Sequence, residues 1–467
     1  MVGNIVTNES ERLAEELMNI SYLDLSEEDL GQTELLMTDH LGVTIHGVNT
    51  PWGRALQKWA APYDKSGPCH VVGTDIRCAA PVASQVNGTA AHGYELDDVH
   101  DESISHPGAS VFPAAFAVGT QLGCSGKEML AAVVAGYEAI ARVGTAANAS
   151  AVKNFGHHPT AIFAGFGAST AAAKLYHFTP IELCRAWGQL LSLTGGSMQF
   201  SDEPAGTAVK RLHAGNAAYN GVFSVELAVL GIDAPERAID GRYGLLALYG
   251  HDVDQNRLWR REAAPFEIHC VSIKPYACCR ILQSSIDALR ATTDDFSVDP
   301  ANISSIIVHA PEVIPLQHML RRPESPMAAQ YSLPYVLGAA LVFGPTDYTA
   351  YAENNLADDR ILAVADKVTS VRDADIDSHY PAHFGAAVEV EYTNGERRKQ
   401  TVLDSLGTPG NPLGKEAVRE KIASLVNDAV PRYDVDRAIQ VIESVRDLDD
   451  ITDVSRLFSS TPFPSVN

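Results

Sequence analysis

Residues 160–174 read TAIFAGFGASTAAAK, a run in which alanine, glycine, serine and threonine outnumber the large side chains. Small residues let neighbouring helices approach closely, while Ile162, Phe163 and Phe166 fill the remaining gaps. The segment reads as a core helix in spite of Gly165 and Gly167, and a chain organised around such a helix is mainly α. Proline is tolerated in the first helical turn, where its missing N–H is not needed, so the helix is expected to begin at His158 or Pro159. A histidine at that end meets the orphan amides and the positive dipole end that attract anions.

On either side of this helix, from the N-terminus to about residue 250, the pattern continues as Ala- and Gly-rich helices joined by short Gly/Pro turns. Residues 129–147 are the most apolar stretch, but Glu138 and Arg142 interrupt them, which suits a buried helix rather than a membrane span. The character changes after about Phe266. Residues 302–309 (NISSIIVH) have the β-branched content of a strand, and residues 387–401 alternate apolar and polar positions before an Asn394-Gly395 turn, a hairpin signal. Helical patterns over 282–288, 326–343 and 358–367 are interleaved with these strands, so the stretch reads as a smaller α/β domain. Beyond about Asp404, residues 415–426 and 435–444 are helical again and are placed to close back onto the first helices.

A chain of 467 residues is long for a single core, and 46% hydrophobic with 20% charged residues is a globular composition. The formal net charge of -23 argues against a general affinity for nucleic acid or anionic membrane, so an anionic substrate would need local cations. The first twenty residues carry acids where a signal peptide would be basic and apolar, and the reading is a mature cytoplasmic protein. Seven cysteines, with Cys278 and Cys279 adjacent, offer neither a disulfide framework nor zinc spacing, and are read as buried structural residues.

Residues 87–106 (NGTAAHGYELDDVHDESISH) pack Glu95, Asp97, Asp98, Asp101 and Glu102 among His92, His100 and His106. Three readings compete: a divalent-metal site without established motif spacing, a solvated acidic loop, and acid/base catalysis by a histidine, with His106 beside the Pro107-Gly108 turn leading. Lys210 and His213 are three apart and would share a helix face. Lys274 precedes Pro275 and is expected in an extended or turn conformation. A lone lysine is most often a solvated surface residue, and spacing alone elevates neither.

In this order, NGTAAHGYELDDVHDESISHPGASVFPAAFA, GHHPTAIFAGFGAST, VKRLHAGNAAYNG, KPYACCR, AAQYSLPY and YPAHF resemble the MmgE/PrpD family, which includes 2-methylcitrate dehydratase, cis-aconitate decarboxylase and an iminodisuccinate epimerase. The resemblance spans nearly the whole chain. It implies a large all-helical domain formed by both ends, 1–265 and 405–467, with an α/β lid, 266–404, inserted between them and the active site between the two. It also implies His106, His158, Lys210 and Lys274 as catalytic residues and Glu95, Asp98, His100 and Arg280 as substrate-binding ones. The implied protein is a homodimer acting on a small polycarboxylate, with neither metal nor cofactor.

The expected activity is that of a lyase. The two lysines would neutralise substrate carboxylates and the two histidines would move protons. Dehydration of a 2-methylcitrate-like hydroxy acid ranks first, decarboxylation of a cis-aconitate-like acid second and epimerisation third. Glu95 and Val99 depart from the animal cis-aconitate decarboxylases, which leaves open an inactive carboxylate-binding relative.

Overall fold

The computed structural model describes residues 8–203, 206–260, 264–426 and 434–452. The core helix spans Pro159–Leu175, with His158 at its N-cap position, and packs against helices Gly108–Leu122, Gly126–Ala146 and His213–Val229. Its glycines sit where backbones cross: a Cβ added at Gly167 would lie 2.5 Å from the Gly136 carbonyl oxygen. The glycines that weaken the helix locally are therefore what permits its packing. Helices Glu27–Val48 and Gly126–Ala146 each begin with a capping box, Ser26 with Asp29 and Ser125 with Glu128.

Helix Gly126–Ala146 is long and apolar enough to cross a membrane by length and composition alone. Here it is buried within the protein, and its Glu138 accepts a 2.8 Å bond from Arg142 Nε one turn on. The acidic and basic residues that interrupt its apolar run satisfy each other inside the core.

Strands before residue 270 are two-residue pieces, and the longer ones begin at Ile303. A four-stranded sheet has the order Val368–Arg372, Ile303–Ala310, Ala386–Tyr392, Arg397–Val402. The first pair is parallel and the other two antiparallel. The expected hairpin turns at Asn394-Gly395, where Gly395 takes φ 86°. Helix Gln283–Thr292 covers the sheet.

The expected helix over 326–343 is two: Pro326–Gln330 and Leu333–Phe343. Ser332 breaks the run because its hydroxyl accepts from Tyr335 N–H at 3.1 Å, with Pro334 in the new first turn. The cysteine reading also needs correction at two positions: all seven are free, but Cys270 is exposed and Cys279 only partly buried.

Among the described residues two large apolar cores result, beside a small cluster of Ala91, Ala109 and Ala214. One gathers side chains between Leu13 and Ile273 together with Leu413, Val418, Ile422 and others up to Ile451. The second gathers residues 276–392 and is joined by Val43, Leu96 and Leu425. Helix Lys415–Val426 packs on Glu27–Val48, where buried Lys421 bonds Asp39 at 2.6 Å and the Leu96 carbonyl at 2.9 Å.

Candidate active site

Leu96 lies between Glu95 and Asp97, so the late helix steadies the acidic loop from behind. That loop leaves helix Ala80–Ala91 through His92 and Gly93, and Glu95 takes φ 57°, a left-handed conformation uncommon for a side chain of its size. Strand Val99–His100 pairs antiparallel with Val271–Ser272, which brings Lys274 alongside the loop.

Glu95 is the centre of a buried charge network. Lys210 and Arg211 both donate to its Oε1, Arg211 at 2.5 Å, and Lys274 Nζ lies 3.5 Å from Oε2 and 3.4 Å from Asp97 Oδ1. Both lysines and Arg211 are fully enclosed. Burial opposes ionisation of Glu95, but Lys210, Lys274 and Arg211 outweigh it and hold the carboxyl well below the usual range. Burial likewise opposes ionisation of Asp97, and His106, His92 and Lys274 outweigh it. Lys274, with two carboxylates, is raised against the effect of its burial. Lys210 is lowered, by burial and by Arg211 competing for the same carboxylate oxygen. Three cations against two carboxylates leave one surplus positive charge in this network.

Asp97, rather than Asp98, is the carboxylate that serves the histidines. Its Oδ2 lies 2.6 Å from His92 Nδ1 and 3.0 Å from His106 Nδ1. A carboxylate on Nδ1 orients an imidazole and leaves Nε2 as the working nitrogen. The three ligand atoms lie within 4.8 Å of one another, a spacing a metal ion could bridge. Of the contacts in this cluster, His92 Nδ1 to Asp97 Oδ2 has hydrogen-bond geometry, while His106 Nδ1 and Lys274 Nζ meet the same carboxylate as charge contacts at 3.0 Å and 3.4 Å.

A second histidine pair adjoins the first, the His158 ring centroid lying 6.0 Å from that of His92. His158 Nδ1 lies 2.9 Å from His213 Nδ1, so one ring donates and the other accepts, and His158 keeps Nε2 for other partners. Burial lowers both, His158 well below the ordinary imidazole value and His213 to about 4. His106 is also lowered by burial, although Asp97 opposes that effect. Burial therefore disfavours the protonated form of all three rings.

His106 and His158 line one cavity, with Glu95, Cys279, Arg280 and Tyr331 among its other walls. Of the residues expected at the site, the structure brings these two histidines, Glu95 and Arg280 to the cavity. Arg280 donates to Asp101 at 2.9 Å and to Ser405 at 3.1 Å.

The other expected residues lie outside the lining. Lys210 and Lys274 sit behind Glu95, and although Lys210 and His213 both turn inward, Lys210 belongs to the 3-10 turn Ala208–Leu212 and His213 begins the next helix. Asp98 faces away from the cavity, accepting from Tyr137 Oη at 2.6 Å and Gly108 N–H at 2.9 Å, and burial pushes its carboxyl up to about 7. His100 bonds Ser103 and Glu267. Each is committed to a protein partner.

Sequence reasoning passed over Asp97, His92, Arg211, His213 and Tyr331 as site residues. Arg211 adjoins Lys210, and Tyr331 lies in the AAQYSLPY block. Cys279 lines the cavity, but burial raises its thiol, which keeps it protonated and a poor nucleophile.

The buried imidazoles set an acid limit on stability. His40 and His92 are lowered to about 3 and His213 and His318 to about 4, each chiefly by burial. Their folded values lie below the unfolded value of about 6.5, so the unfolded chain binds more protons as pH falls through this window and stability is lost. Asp98, raised to about 7, works in the opposite direction over pH 7 to 3.8, as do Glu34, Asp39, Glu138 and Glu226, also raised by burial. His46, His106 and His158, lowered by burial, add to the four imidazoles. Thermal unfolding followed from pH 7 to 4 should show a decline that starts near pH 6.5. The loss should reach several kcal/mol, because each tenfold difference in proton affinity between the folded and unfolded chain is worth about 1.4 kcal/mol. A melting temperature flat down to pH 5 would contradict this account.

Residues 11–257 match the MmgE/PrpD N-terminal domain and residues 276–447 the MmgE/PrpD C-terminal domain. The chain is 27% identical over 462 residues to the cis-aconitate decarboxylase-like protein oryM of Aspergillus oryzae, covering 93% of each. It is 26% identical over 461 residues to cis-aconitate decarboxylase of Aspergillus terreus, covering 94% of this chain and 93% of the relative. Against cis-aconitate decarboxylase of Mus musculus it is 23% identical over 450 residues, covering 93% and 89%. With both family domains matched in order and together spanning most of its length, the chain belongs to the MmgE/PrpD family.

Proposed function

We propose that the protein is a lyase for a small polycarboxylate, and that its reaction is decarboxylation of a cis-aconitate-like acid. The observation that carries the reading is the pair of histidine devices, Asp97–His106 and His213–His158, facing one cavity above a network with surplus positive charge. The activities that name the relatives, at 23–27% identity, favour decarboxylation over the dehydration ranked first from sequence.

In such a reaction a carbon–carbon bond breaks, carbon dioxide leaves, and the electron pair stays on the carbon skeleton, spread into the remaining unsaturated carboxylate system. A proton delivered to carbon completes the turnover. His106 is the better proton holder, because Asp97 favours its charged form against burial and a bound polyanion does so further. His158, which lines the same cavity, is the second proton carrier. Lys210 and Lys274 act through their field from behind Glu95, while Arg280 meets a substrate carboxylate directly. In this reading residues 266–404 form a lid over the helical unit built from 1–265 and 405–467, and the protein is a cytoplasmic homodimer, an assembly that light scattering tests.

Incubation with cis-aconitate and with 2-methylcitrate, followed by mass spectrometry, tests the function. Loss of about 44 mass units identifies decarboxylation and about 18 dehydration. If no carboxylic acid is turned over, the lyase reading fails.

A further inference from the structure

The cavity has a neighbour. A wider groove opens on the surface beside it, and the two share Lys153, Met198, Phe200, Ser201, Gln317 and Tyr331 as walls. The shared wall makes the groove the approach to the cavity. It carries Asp202 and Glu203 on its outer side, which would repel a polyanion. Lys153 is the cation common to both spaces.

The remaining cations near the cavity are engaged. Lys210, Arg211 and Lys274 are held by Glu95 and Asp97, and Arg280 by Asp101. Lys153 is half-buried and has no carboxylate partner among the described residues. Its charge nevertheless reaches the cavity wall, since it helps to lower His318 and opposes the rise of Cys279, in both cases after burial. It stands in the last turn of helix Ala149–Asn154, which is only six residues long and has little dipole for a lysine to complement.

We propose that Lys153 is a substrate-binding residue: it receives a carboxylate of the incoming acid where the groove narrows into the cavity, and so anchors the end of the substrate that is not being cleaved. This assignment rests on the polycarboxylate reading of the site. A lysine suits the position because its flexible stem can follow a carboxylate from the groove inward, whereas the forked Arg280 is already fixed.

The test uses the full-length protein with Lys153→Met and Lys153→Arg, and two measurements. Calorimetric titration with tricarballylate, a non-reacting tricarboxylate, reads binding; turnover of cis-aconitate reads KM and kcat. Lys153→Met should raise both the tricarballylate Kd and KM by about tenfold or more, with kcat within about threefold, and Lys153→Arg should restore most of the affinity. Lys153 is partly exposed and holds no carboxylate among the described residues, so both variants should fold, which circular dichroism checks. Unchanged Kd and KM in Lys153→Met would overturn the assignment while leaving the lyase reading intact. If the wild type binds tricarballylate but turns over no acid, the lyase reading falls and the Kd ratio alone still decides on Lys153. Absence of tricarballylate binding to the wild type would overturn the assignment as well.

Discussion

Replacing His106 by alanine should lower turnover by about 10²–10⁴-fold, the range general acid–base groups supply. The protein should keep its fold, because Asp97 remains satisfied by His92 at 2.6 Å and by the nearby Lys274 ammonium. Asp97→Asn should reduce turnover by a comparable factor through a different route. An amide can present its N–H to His106 Nδ1 and select the tautomer whose Nε2 carries a proton, the reverse of what the carboxylate selects. Steady-state kinetics on both variants, with circular dichroism as the control for folding, separates these outcomes. A His106→Ala protein with wild-type kcat would remove His106 from the mechanism, and Asp97 would then be a structural carboxylate.

The second large effect concerns stability. Glu95→Ala would leave Lys210 without its ion-pair partner, Arg211 with Gln330, and Lys274 with Asp97, all three cations fully enclosed. Breaking a buried ion pair by removing one partner costs about 3–5 kcal/mol, since the stranded charge cannot recover its hydration. Glu95→Gln keeps the volume and one acceptor oxygen, so it should destabilise in the same direction but by less. Chemical denaturation of the three proteins at pH 7 measures this. Equal midpoints for wild type and Glu95→Ala would mean that the cations are neutralised by other means, and the surplus positive charge assigned to the site would have to be withdrawn.

The helical part of the fold was legible because its signals are local. Small residues over 160–174 and Pro159 define both the packing face and the starting point, and the structure has the helix at Pro159–Leu175. The hairpin was equally legible from β-branched alternation and Asn394-Gly395. By contrast, the helix expected over 326–343 is divided at Ser332, where side-chain capping competes with an otherwise continuous helical pattern.

The site was harder to read for a geometric reason. Asp97 and Asp98 are neighbours with the same chemistry, and their opposite roles depend on side-chain directions set by the turn after Glu95 and the strand at Val99. Lys210 and Lys274 are 64 positions apart in the numbering and meet only through Glu95. Sequence can supply the residues of such a network, but which cation neutralises which carboxylate is decided by tertiary contacts. His213 was visible as a neighbour of Lys210, yet its partnership with His158 crosses two helices that only packing brings together.

The bond from Lys421 to the Leu96 carbonyl reaches across 325 residues of sequence. Its consequence appears during synthesis. Chains are made from the N-terminus, and early helices can pack while later ones are still being translated. Residues 95–106 therefore emerge long before the side chain that braces their loop, and a nascent chain lacking residue 421 has its histidines without that support. Ribosome-stalled or prematurely terminated products should consequently be inert toward substrate even where their first helices are folded.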